Sequence, residues 1–588
     1  MGKSALALIS TSNRFSSADK LRKLLDHKHI VLAFDPDQAG EQYATYWIEL
    51  LQRSSLHYLS VHKLLLPEPK DVNDLLISGE LEAILHQDQH SQLVLNHRRV
   101  TEADLRSIYF LNRDNENEIK DVGINYLNLI RLFRKLGYLR YDIELISLIV
   151  KNENNVLSQV SSNQIQDDFF AQFESLPNQL EENFGKEMLM EKFYRNPGHY
   201  FNEKRFSLLN PKEPIRFVQD TRDTAYLFFQ NSFVKITAQG IDFMPYRELR
   251  GKIWKRQVIP HPIHPKLEEE KPFDFVQFLK NISQNEERFQ ALRSVMGYLA
   301  HSFYDSKLKA IILTDSRISE GFEGRSGKTL FAKSLQYIKS YQEINGKDFD
   351  PNRAHKFQTL ELDTQVVHIN DVKSSLLFDS LFNTVTEGIS IERKAKHPIH
   401  VQAKVVVSTN HTIRLDGGSA RDRAYEFELS DYYSESYSPH EEFGKWFYAE
   451  WSEQEWQQFF HFYIGCIQFY LQNGLIAAQP INLYRRKLIE ATNREFMSFM
   501  ESASNDQVIE VGKEYDKKVL HERFLRQYPE FRGGHKLKNQ RNFTAFLRLW
   551  AEYTPGISMH VKERSSGNNH YILFEPEEST KWKHTGGV

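Results

Sequence analysis

The first ninety residues alternate short apolar runs with stretches that have a mixed, helix-like pattern. Ile30–Phe34 is an apolar run of strand length, and Gln42–Gln52 has the pattern of a helix. Such alternation is typical of a parallel α/β unit, in which helices cover a sheet of buried strands. We therefore predict a small α/β domain over residues 1–95.

Two blocks without recognisable chemistry follow this first domain. Apolar side chains recur at helical spacing over 126–136 within a polar stretch, which predicts a helical linker or accessory domain over 96–210. Residues 211–268 instead predict strands, because Ala225–Phe229 and Phe233–Thr237 flank a turn-like Gln-Asn-Ser sequence. The Pro-rich segment 259–265 favours extended backbone and marks the boundary that follows.

The central block, 269–480, contains a strand, a glycine loop and a helix in succession. The apolar run 309–314 is followed by a loop that ends in Gly327-Lys328-Thr329, and then by a helical stretch. The first glycine of the GxxxxGK[ST] pattern is replaced by Phe322. Backbone N–H groups of such a loop cradle phosphates, the lysine reaches the terminal phosphates, and the Thr329 hydroxyl would hold Mg²⁺. The sequence therefore predicts an ATP site formed by Gly321, Gly324, Gly327, Lys328 and Thr329.

Two more apolar runs end in polar residues further along this block. The first ends in Asn370-Asp371, and the Asp371 carboxylate would organise Mg²⁺ and water, although the division between metal-binding and base roles stays open. The second ends in Asn410, whose amide would orient water near the γ-phosphate. An ordinary strand-end carboxylate is the simpler interpretation of Asp371 alone. Three runs in register favour a nucleotide site.

These three runs, followed by Arg421-Asp422-Arg423, resemble the superfamily 3 helicases of phages, viruses and mobile elements. The resemblance implies an AAA+ core, a homo-hexameric ring, and an arginine that reaches the ATP of the neighbouring subunit. Arg421 and Arg423 are both candidates for that arginine. The segment 388–398 resembles the hairpin that carries basic residues into a central DNA channel, here Lys394 and Lys396, with a solvated charged turn as the alternative.

The N-terminal block resembles the Toprim fold of bacterial-type primases. Its DPDxAG element is Asp35-Pro36-Asp37-Gln38-Ala39-Gly40, and its KDxND element lies at 70–74. The resemblance implies that Asp35 and Asp37 hold Mg²⁺ through oxygen ligands, whereas two such acids alone would suggest a turn or a helix cap. The catalytic glutamate of that fold is expected on a strand before Ala5–Ile9. We therefore expect a partial Toprim-like domain without primer synthesis.

The last block, 505–588, predicts two helices, Tyr515–Gln527 and Asn542–Tyr553, followed by two strands. This order suits a winged-helix module. Basic residues cluster between the helices, and they could lie on a phosphate backbone or form a solvated linker. The candidate DNA contacts are Lys536, Lys538 and Arg541.

Composition limits the remaining possibilities. The 588 residues contain one cysteine, Cys466, which excludes a thiolate-rich zinc site and favours the reducing cytoplasm of a bacterium or a phage-infected host. No apolar run is long enough to cross a membrane, so we expect no membrane partner. The formal net charge of -3 means that any nucleic-acid binding must come from local basic surfaces.

The fold class that we expect is multidomain α/β, with a Toprim-like unit, a mixed middle region, an AAA+ P-loop core and a C-terminal winged helix. The function that we expect is that of an ATP- and Mg²⁺-dependent hexameric DNA helicase of a phage or mobile-element primase-helicase. Its partners would be single-stranded or forked DNA and other replication proteins. The alternative is an ATP-dependent initiator or defence-system ATPase that binds nucleic acid without unwinding it.

Overall fold

The structure is a computed structural model of the chain, and it contains two compact units, Met1–Lys266 and Leu267–Val588. It describes residues 29–34, 38–52, 60–64, 91–96, 102–115, 118–174, 177–211, 213–267, 272–305, 307–318, 325–394, 397–413, 415, 417–505, 509–533, 536–557, 561–567 and 569–576.

The first unit consists of small sheets with intervening helices. Its strands are β1 (His29–Leu32), β2 (Ser60–Leu64), β3 (Ser91–Asn96), β4 (Tyr109–Arg113), β5 (Ile119–Ile124), β6 (Tyr138–Ile143), β7 (Ile146–Glu153), β8 (Val156–Gln159), β9 (Gln179–Glu181), β10 (Phe184–Gly185), β11 (Thr224–Phe229), β12 (Phe233–Thr237), β13 (Ile241–Met244), β14 (Ile253–Trp254) and β15 (Val258–Ile259). Its helices are α1 (Gln38–Gln52), α2 (Glu102–Ile108), α3 (Tyr126–Lys135), α4 (Ser162–Glu174), α5 (Lys186–Arg195), α6 (Pro197–Tyr200) and α7 (Glu203–Phe206).

The N-terminal sheet has the order β1-β2-β3, in which β1 and β2 are parallel and β3 is antiparallel to β2. Helix α1 connects the two parallel strands, as in a βαβ unit. Its residues Tyr43, Trp47 and Leu51 are buried at a spacing of four, so they form one apolar face. The predicted α/β character of this region is confirmed.

The region that follows is mixed α/β, so the prediction of a helical 96–210 is wrong. The predicted helix face does form α3, but the antiparallel strands β4–β8 surround it. Strands β7 and β8 are joined through Asn154 and Asn155, both with positive φ (49° and 71°). Asparagine tolerates this conformation well and therefore favours a tight hairpin turn. The helical pattern of one segment was extended too far along the chain.

The β-rich segment contains the predicted pair of strands. Strand β11 is antiparallel to β12, in a four-stranded sheet of order β13-β12-β11-β15. The register pairs Phe228 with Phe233 across the turn, and both rings are buried. The predicted bounds, Ala225–Phe229 and Phe233–Thr237, agree with these strands to within one residue.

The second unit contains a parallel sheet and a C-terminal module. Its strands are β16 (Ala310–Asp315), β17 (Tyr341–Asn345), β18 (Val366–Asn370), β19 (Ile389–Ile391), β20 (Ile399–Val401), β21 (Lys404–Ser408), β22 (Ala424–Leu429), β23 (Glu514–Asp516), β24 (Lys562–Ser566) and β25 (Asn569–Leu573). Its helices are α8 (Asp274–Ser283), α9 (Glu286–Ala300), α10 (Lys328–Lys333), α11 (Phe382–Thr386), α12 (Gly417–Arg423), α13 (Pro439–Phe443), α14 (Glu453–Asn473), α15 (Leu483–Ala491), α16 (Arg494–Asn505), α17 (Lys517–Gln527) and α18 (Gln540–Tyr553).

The large sheet has the order β17-β18-β21-β16-β22, and all neighbouring strands are parallel. Every residue of β16 is buried, as expected for a central strand that is covered on both faces. Because the strands are parallel, the residues that follow β16, β18 and β21 lie along the same edge of the sheet. This edge carries the candidate nucleotide residues.

The C-terminal module contains a three-stranded sheet of order β23-β25-β24 and the helices α17 and α18. Its core includes the buried rings of Phe496, Phe524, Phe543 and Trp550. The two predicted helices are present, and β25 agrees with the strand predicted over His570–Phe574. The other predicted strand, Ile557–Glu563, overlaps β24 only at 562–563, and the short strand β23 was not predicted. In the described parts of the chain, no helix has the length and apolarity needed to cross a membrane.

Candidate nucleotide and nucleic-acid sites

Helix α10 begins at Lys328, immediately after the glycine loop. The residue before it, Gly327, has φ 95°, a left-handed conformation that side chains other than glycine rarely adopt. A Cβ at this position would lie 2.9 Å from Cε2 of Phe278 in α8. Glycine is therefore required here both by the backbone and by the neighbouring ring. Gly321, Phe322 and Gly324 lie outside the described residues.

Lys328 has a buried side chain that connects two strand ends. Its Nζ donates to Oδ2 of Asp315 at 2.5 Å and to Oδ1 of Asn410 at 2.8 Å. Burial lowers the pKa of the lysine, and the nearby carboxylate of Asp315 opposes that shift. The residues at the ends of β16 and β21 thus converge on one ammonium group.

The end of β18 is held by Ser408, the last residue of β21. The Ser408 hydroxyl donates to Oδ1 of Asn370 at 2.7 Å and accepts from the backbone N–H of Asp371 at 3.2 Å. Asp371 has φ 61°, which an aspartate tolerates at a modest cost. Its carboxylate forms an ion pair with Lys347, with 2.9 Å between Oδ2 and Nζ. Asp371 and Lys328 are not in hydrogen-bond contact.

A buried histidine completes this polar group. His368 is fully buried, its Nε2 lies 2.9 Å from the Ser408 Oγ, and its Nδ1 lies 2.7 Å from the Tyr341 hydroxyl. Since the Ser408 proton points to Asn370, the histidine donates from Nε2 and accepts at Nδ1. Burial, and to a smaller extent the charge of Lys333, lowers the pKa of His368 to about 3. The imidazole is therefore neutral at physiological pH.

A further cation at this edge was not identified from the sequence. Arg486 of α15 is buried, and its Nη1 donates to the Thr314 hydroxyl at 2.8 Å and to the Asp315 carbonyl. Its Nη2 donates to the Asn410 carbonyl at 2.8 Å. No local motif marks this arginine, because it is far along the chain from the loop. Asp315 was also missed, although its position directly after an apolar run was a usable signal.

The donor set at this edge suits Mg²⁺ held together with a phosphate ligand. Mg²⁺ in such sites keeps several waters and binds one or two carboxylates plus the phosphates of the substrate. Asp371 would supply a carboxylate, and Thr329 would supply a hydroxyl. Thr329 is exposed at the N-terminus of α10, as such a role requires. Within the described ranges, no group of three or more His, Cys, Asp or Glu side chains could hold a metal alone. Asp35 and Asp37 lie outside those ranges.

The two candidate arginines of α12 have different surroundings. Arg421 is exposed, and its Nη2 lies 3.5 Å from the Glu552 carboxylate of α18. Arg423 folds back on its own helix, donates to the Ser419 carbonyl at 3.1 Å, and lies over the ring of Phe382. Of the two, Arg421 is the one with a guanidinium that faces solvent.

The segment predicted to be a hairpin contains the antiparallel strands β19 and β20, and Lys394 is exposed in the turn between them. The Arg393 side chain anchors the turn by donating to the carbonyl of Gln358 at 3.2 Å and by pairing with Glu361 at 3.1 Å. Lys396 lies outside the described residues. The exposed lysine is thus held on a structured base.

Basic residues of the C-terminal module differ in whether a carboxylate pairs with them. Lys536, Lys538 and Arg541 are exposed around the start of α18. The cations on and near β24 are instead paired with carboxylates, for example Lys562 with Glu575 at 2.7 Å and Arg548 with Glu563 at 2.6 Å. Lys518, Arg523 and Arg526 of α17 are exposed as well, so exposed positive charge extends from α17 to the start of α18.

Comparison with known families identifies one part of the chain. Residues 1–76 match a family described as Toprim-like. The N-terminal region is Toprim-like. This match confirms the prediction made from the DPDxAG and KDxND elements, although it covers only the first 76 residues. No curated protein is similar in sequence to the chain at a significant level.

Several solved structures share a distant likeness with the chain. The A form apo structure of the NrS-1 C-terminal region, residues 305–718, has a TM-score of 0.36 and 13% identity, and the match covers 76% of this chain and 99% of that one. A second A form apo structure of that region has a TM-score of 0.35 and 11% identity, covering 76% and 98%. A further apo structure gives 0.34 and 13%, covering 78% and 99%. Likenesses this distant carry no argument about the site.

Proposed function

We propose that this chain is an ATP- and Mg²⁺-dependent DNA helicase subunit of the phage or mobile-element primase-helicase type. The observation that supports this most is the convergence of Lys328 and Asn410 at the carboxyl edge of a parallel sheet, beside the end of β18. Loops at this edge are where ligands bind in open α/β sheets. The Toprim-like match over residues 1–76 fits a protein that processes nucleic acid.

In this proposal the residues of the loop and the strand ends bind and orient ATP. Lys328 holds the terminal phosphates, and Asn410 orients the attacking water. Thr329 and Asp371 would hold Mg²⁺, which would neutralise charge that develops on the phosphates. Ser408 positions Asp371 by accepting a hydrogen bond from its backbone N–H, and His368 in turn contacts the Ser408 hydroxyl.

The proposal assigns Arg421 rather than Arg423 to the neighbouring subunit's ATP. Arg421 is exposed on α12 and makes an ion pair of 3.5 Å with Glu552 that would have to open, whereas Arg423 is bonded to Ser419 of its own helix and lies over Phe382. An arginine that acts in trans requires a neighbouring subunit, and the resemblance to superfamily 3 helicases makes a homo-hexamer part of the same proposal. Such an arginine contributes a factor of about 10³–10⁵ in related nucleotide hydrolysis.

The DNA contacts in this proposal are made by two exposed basic surfaces. Lys394, in the turn between β19 and β20, and Lys396 contact the strand in the channel. Lys536, Lys538 and Arg541 contact phosphates as part of a winged helix. Both surfaces use charge rather than base recognition, so binding should weaken steeply with salt.

Strand separation distinguishes this proposal from the alternative. Wild-type protein is assayed for ATP hydrolysis with and without single-stranded DNA, and for unwinding of a forked duplex. We expect hydrolysis to be stimulated by DNA and the duplex to separate. Stimulated hydrolysis without separation would favour an initiator or defence-system ATPase. Absence of both hydrolysis and nucleotide binding would refute the nucleotide site.

A mixing experiment tests the assignment of Arg421. Arg421→Ala subunits bind ATP but lack the arginine, and Lys328→Ala subunits keep the arginine but cannot use ATP. If Arg421 acts in trans, mixing the two inactive variants restores part of the hydrolysis. An Arg421→Ala variant with wild-type turnover would show that the arginine has no such role.

A further inference from the structure

Asp315 places a buried carboxylate where the proposed phosphate-binding lysine is found. It is the last residue of β16, and its side chain is 9% exposed. It accepts hydrogen bonds from the Lys328 ammonium at 2.5 Å and from the Ser326 hydroxyl. The lysine that would contact the terminal phosphates is therefore already paired with an anion.

A second cation adds positive charge beside Lys328. Arg486 donates to the Asp315 carbonyl and to the Asn410 carbonyl, so its charge lies beside that of Lys328. The two cations repel, and Arg486 contributes to lowering the pKa of Lys328, after burial. Buried charges without a counter-ion are strongly unfavourable. The Asp315 carboxylate compensates the charge of Lys328, and the charge of Arg486 also faces the carboxylates of Glu426 and Glu428.

Phosphate binding reverses the role of this carboxylate. A nucleoside triphosphate brings several negative charges to the same ammonium, so Asp315 then competes for Lys328 and repels the ligand. We propose that Asp315 is an exchangeable counter-ion, which pairs with Lys328 whenever no phosphate is bound and thereby limits affinity for nucleoside di- and triphosphates. This inference rests on the proposed nucleotide site, and it concerns how tightly that site holds its ligand.

The test is nucleotide affinity in full-length Asp315→Asn protein. Equilibrium binding of ATP and ADP is measured with Mg²⁺ present, and adenosine is measured as a ligand without phosphates. We expect ATP and ADP to bind at least about tenfold more tightly, because a unit charge is removed within a few ångströms of a phosphate. Adenosine affinity should be unchanged, since the counter-ion acts only on phosphates.

The matched control is Asp274→Asn, which removes a carboxylate from another Asp–Lys pair at 2.5 Å, with Lys445, in the same unit. It should leave ATP affinity at the wild-type value. Thermal melting adds a second measurement: Asp315→Asn should melt lower than wild type without ligand and gain more on adding ATP. If Asp315→Asn does not fold, Asp315→Ser provides the same removal of charge with a smaller side chain.

The outcomes separate this inference from the proposed function. Weaker or unchanged ATP binding in a folded Asp315→Asn protein, with normal binding by wild type, would overturn the counter-ion role and leave the nucleotide site intact. Failure of wild type itself to bind ATP would overturn both. Equal tightening for adenosine would also refute the inference, because it would show a general change in the pocket.

Discussion

Gly327 offers the most quantitative test of the loop geometry. With φ 95°, an alanine at this position would adopt a left-handed conformation that costs about 1–2 kcal/mol. Its Cβ would also lie 2.9 Å from Cε2 and 3.0 Å from Cζ of Phe278, and 3.5 Å from Ile282. Overpacking of a closed core typically costs about 1–3 kcal/mol. Gly327→Ala should therefore destabilise the second unit by about 2–5 kcal/mol.

The Phe278 ring cannot yield easily to relieve the contact. It is fully buried, and the rings of Phe275, Tyr433 and Phe447 lie within 6 Å of it. Relief would instead shift the start of α10, and Lys328 would move with it. We therefore expect the substitution to weaken ATP binding as well as to lower the melting temperature.

Calorimetry and ATP titration measure these two effects. At about 2–4 °C per kcal/mol for a domain of about 150–250 residues, the expected fall in Tm is roughly 4–20 °C. Gly465→Ala is the matched control, since it lies inside α14 with open space around its Cα and should be neutral or slightly stabilising. The described loop conformation would be refuted by a Gly327→Ala protein that melts within about 1 °C of wild type and binds ATP normally.

Three further predictions concern pH and salt. His368 has a folded pKa below its unfolded value, so its contribution to stability is present above about pH 6.5 and is lost as pH falls toward 3. Between pH 7 and 5, the free energy of unfolding measured with urea should therefore fall by about 2 kcal/mol more for wild type than for His368→Gln. The hydrogen bonds from Arg548, and then from Lys517, lower the pKa of Glu563 to about 2. Unfolding followed by circular dichroism should therefore show that Glu563→Gln reduces stability by about 1 kcal/mol at pH 7, and by progressively less as pH falls from 4.5 to 2. Lys538→Ala should lower the slope of log affinity for single-stranded DNA against log salt by about 1, whereas Lys562→Ala, whose cation is already paired with a carboxylate, should leave it unchanged; equal slopes for both would contradict the assigned surface.

Sequence patterns located the sheet edge where we propose the nucleotide site, because the signals of that edge are local. Each apolar run ends in a polar residue, and parallel strands bring those ends together whatever lies between them. The loop, Asn410 and Asp371 could be located in this way. The same reasoning could have included Asp315, which follows the first run directly. Its ion pair with Lys328 was not foreseen because the lysine was assigned only to phosphate.

Features that depend on distant contacts could not be predicted. Arg486 reaches the edge only because α15 packs against it. The Glu428 carboxylate of β22 accepts hydrogen bonds from the backbone N–H groups of Ile481 and Asn482, just before that helix. The strands β4–β8 were missed for a different reason, since one clear helical stretch at 126–136 outweighed weaker alternation on both sides. Short hairpins have weak patterns, and their turns are their main signal.

The central claim is that hydrolysis of ATP bound through Lys328 drives strand separation, and one variant tests it most directly. Lys328→Ala removes the ammonium that bridges Asp315 and Asn410, and Lys307→Ala removes an exposed lysine of the same unit that lies outside the site. Forked-duplex unwinding is measured for both proteins at saturating ATP. We predict that Lys328→Ala unwinds no duplex while Lys307→Ala matches wild type. Unwinding by Lys328→Ala at the wild-type rate would contradict the account.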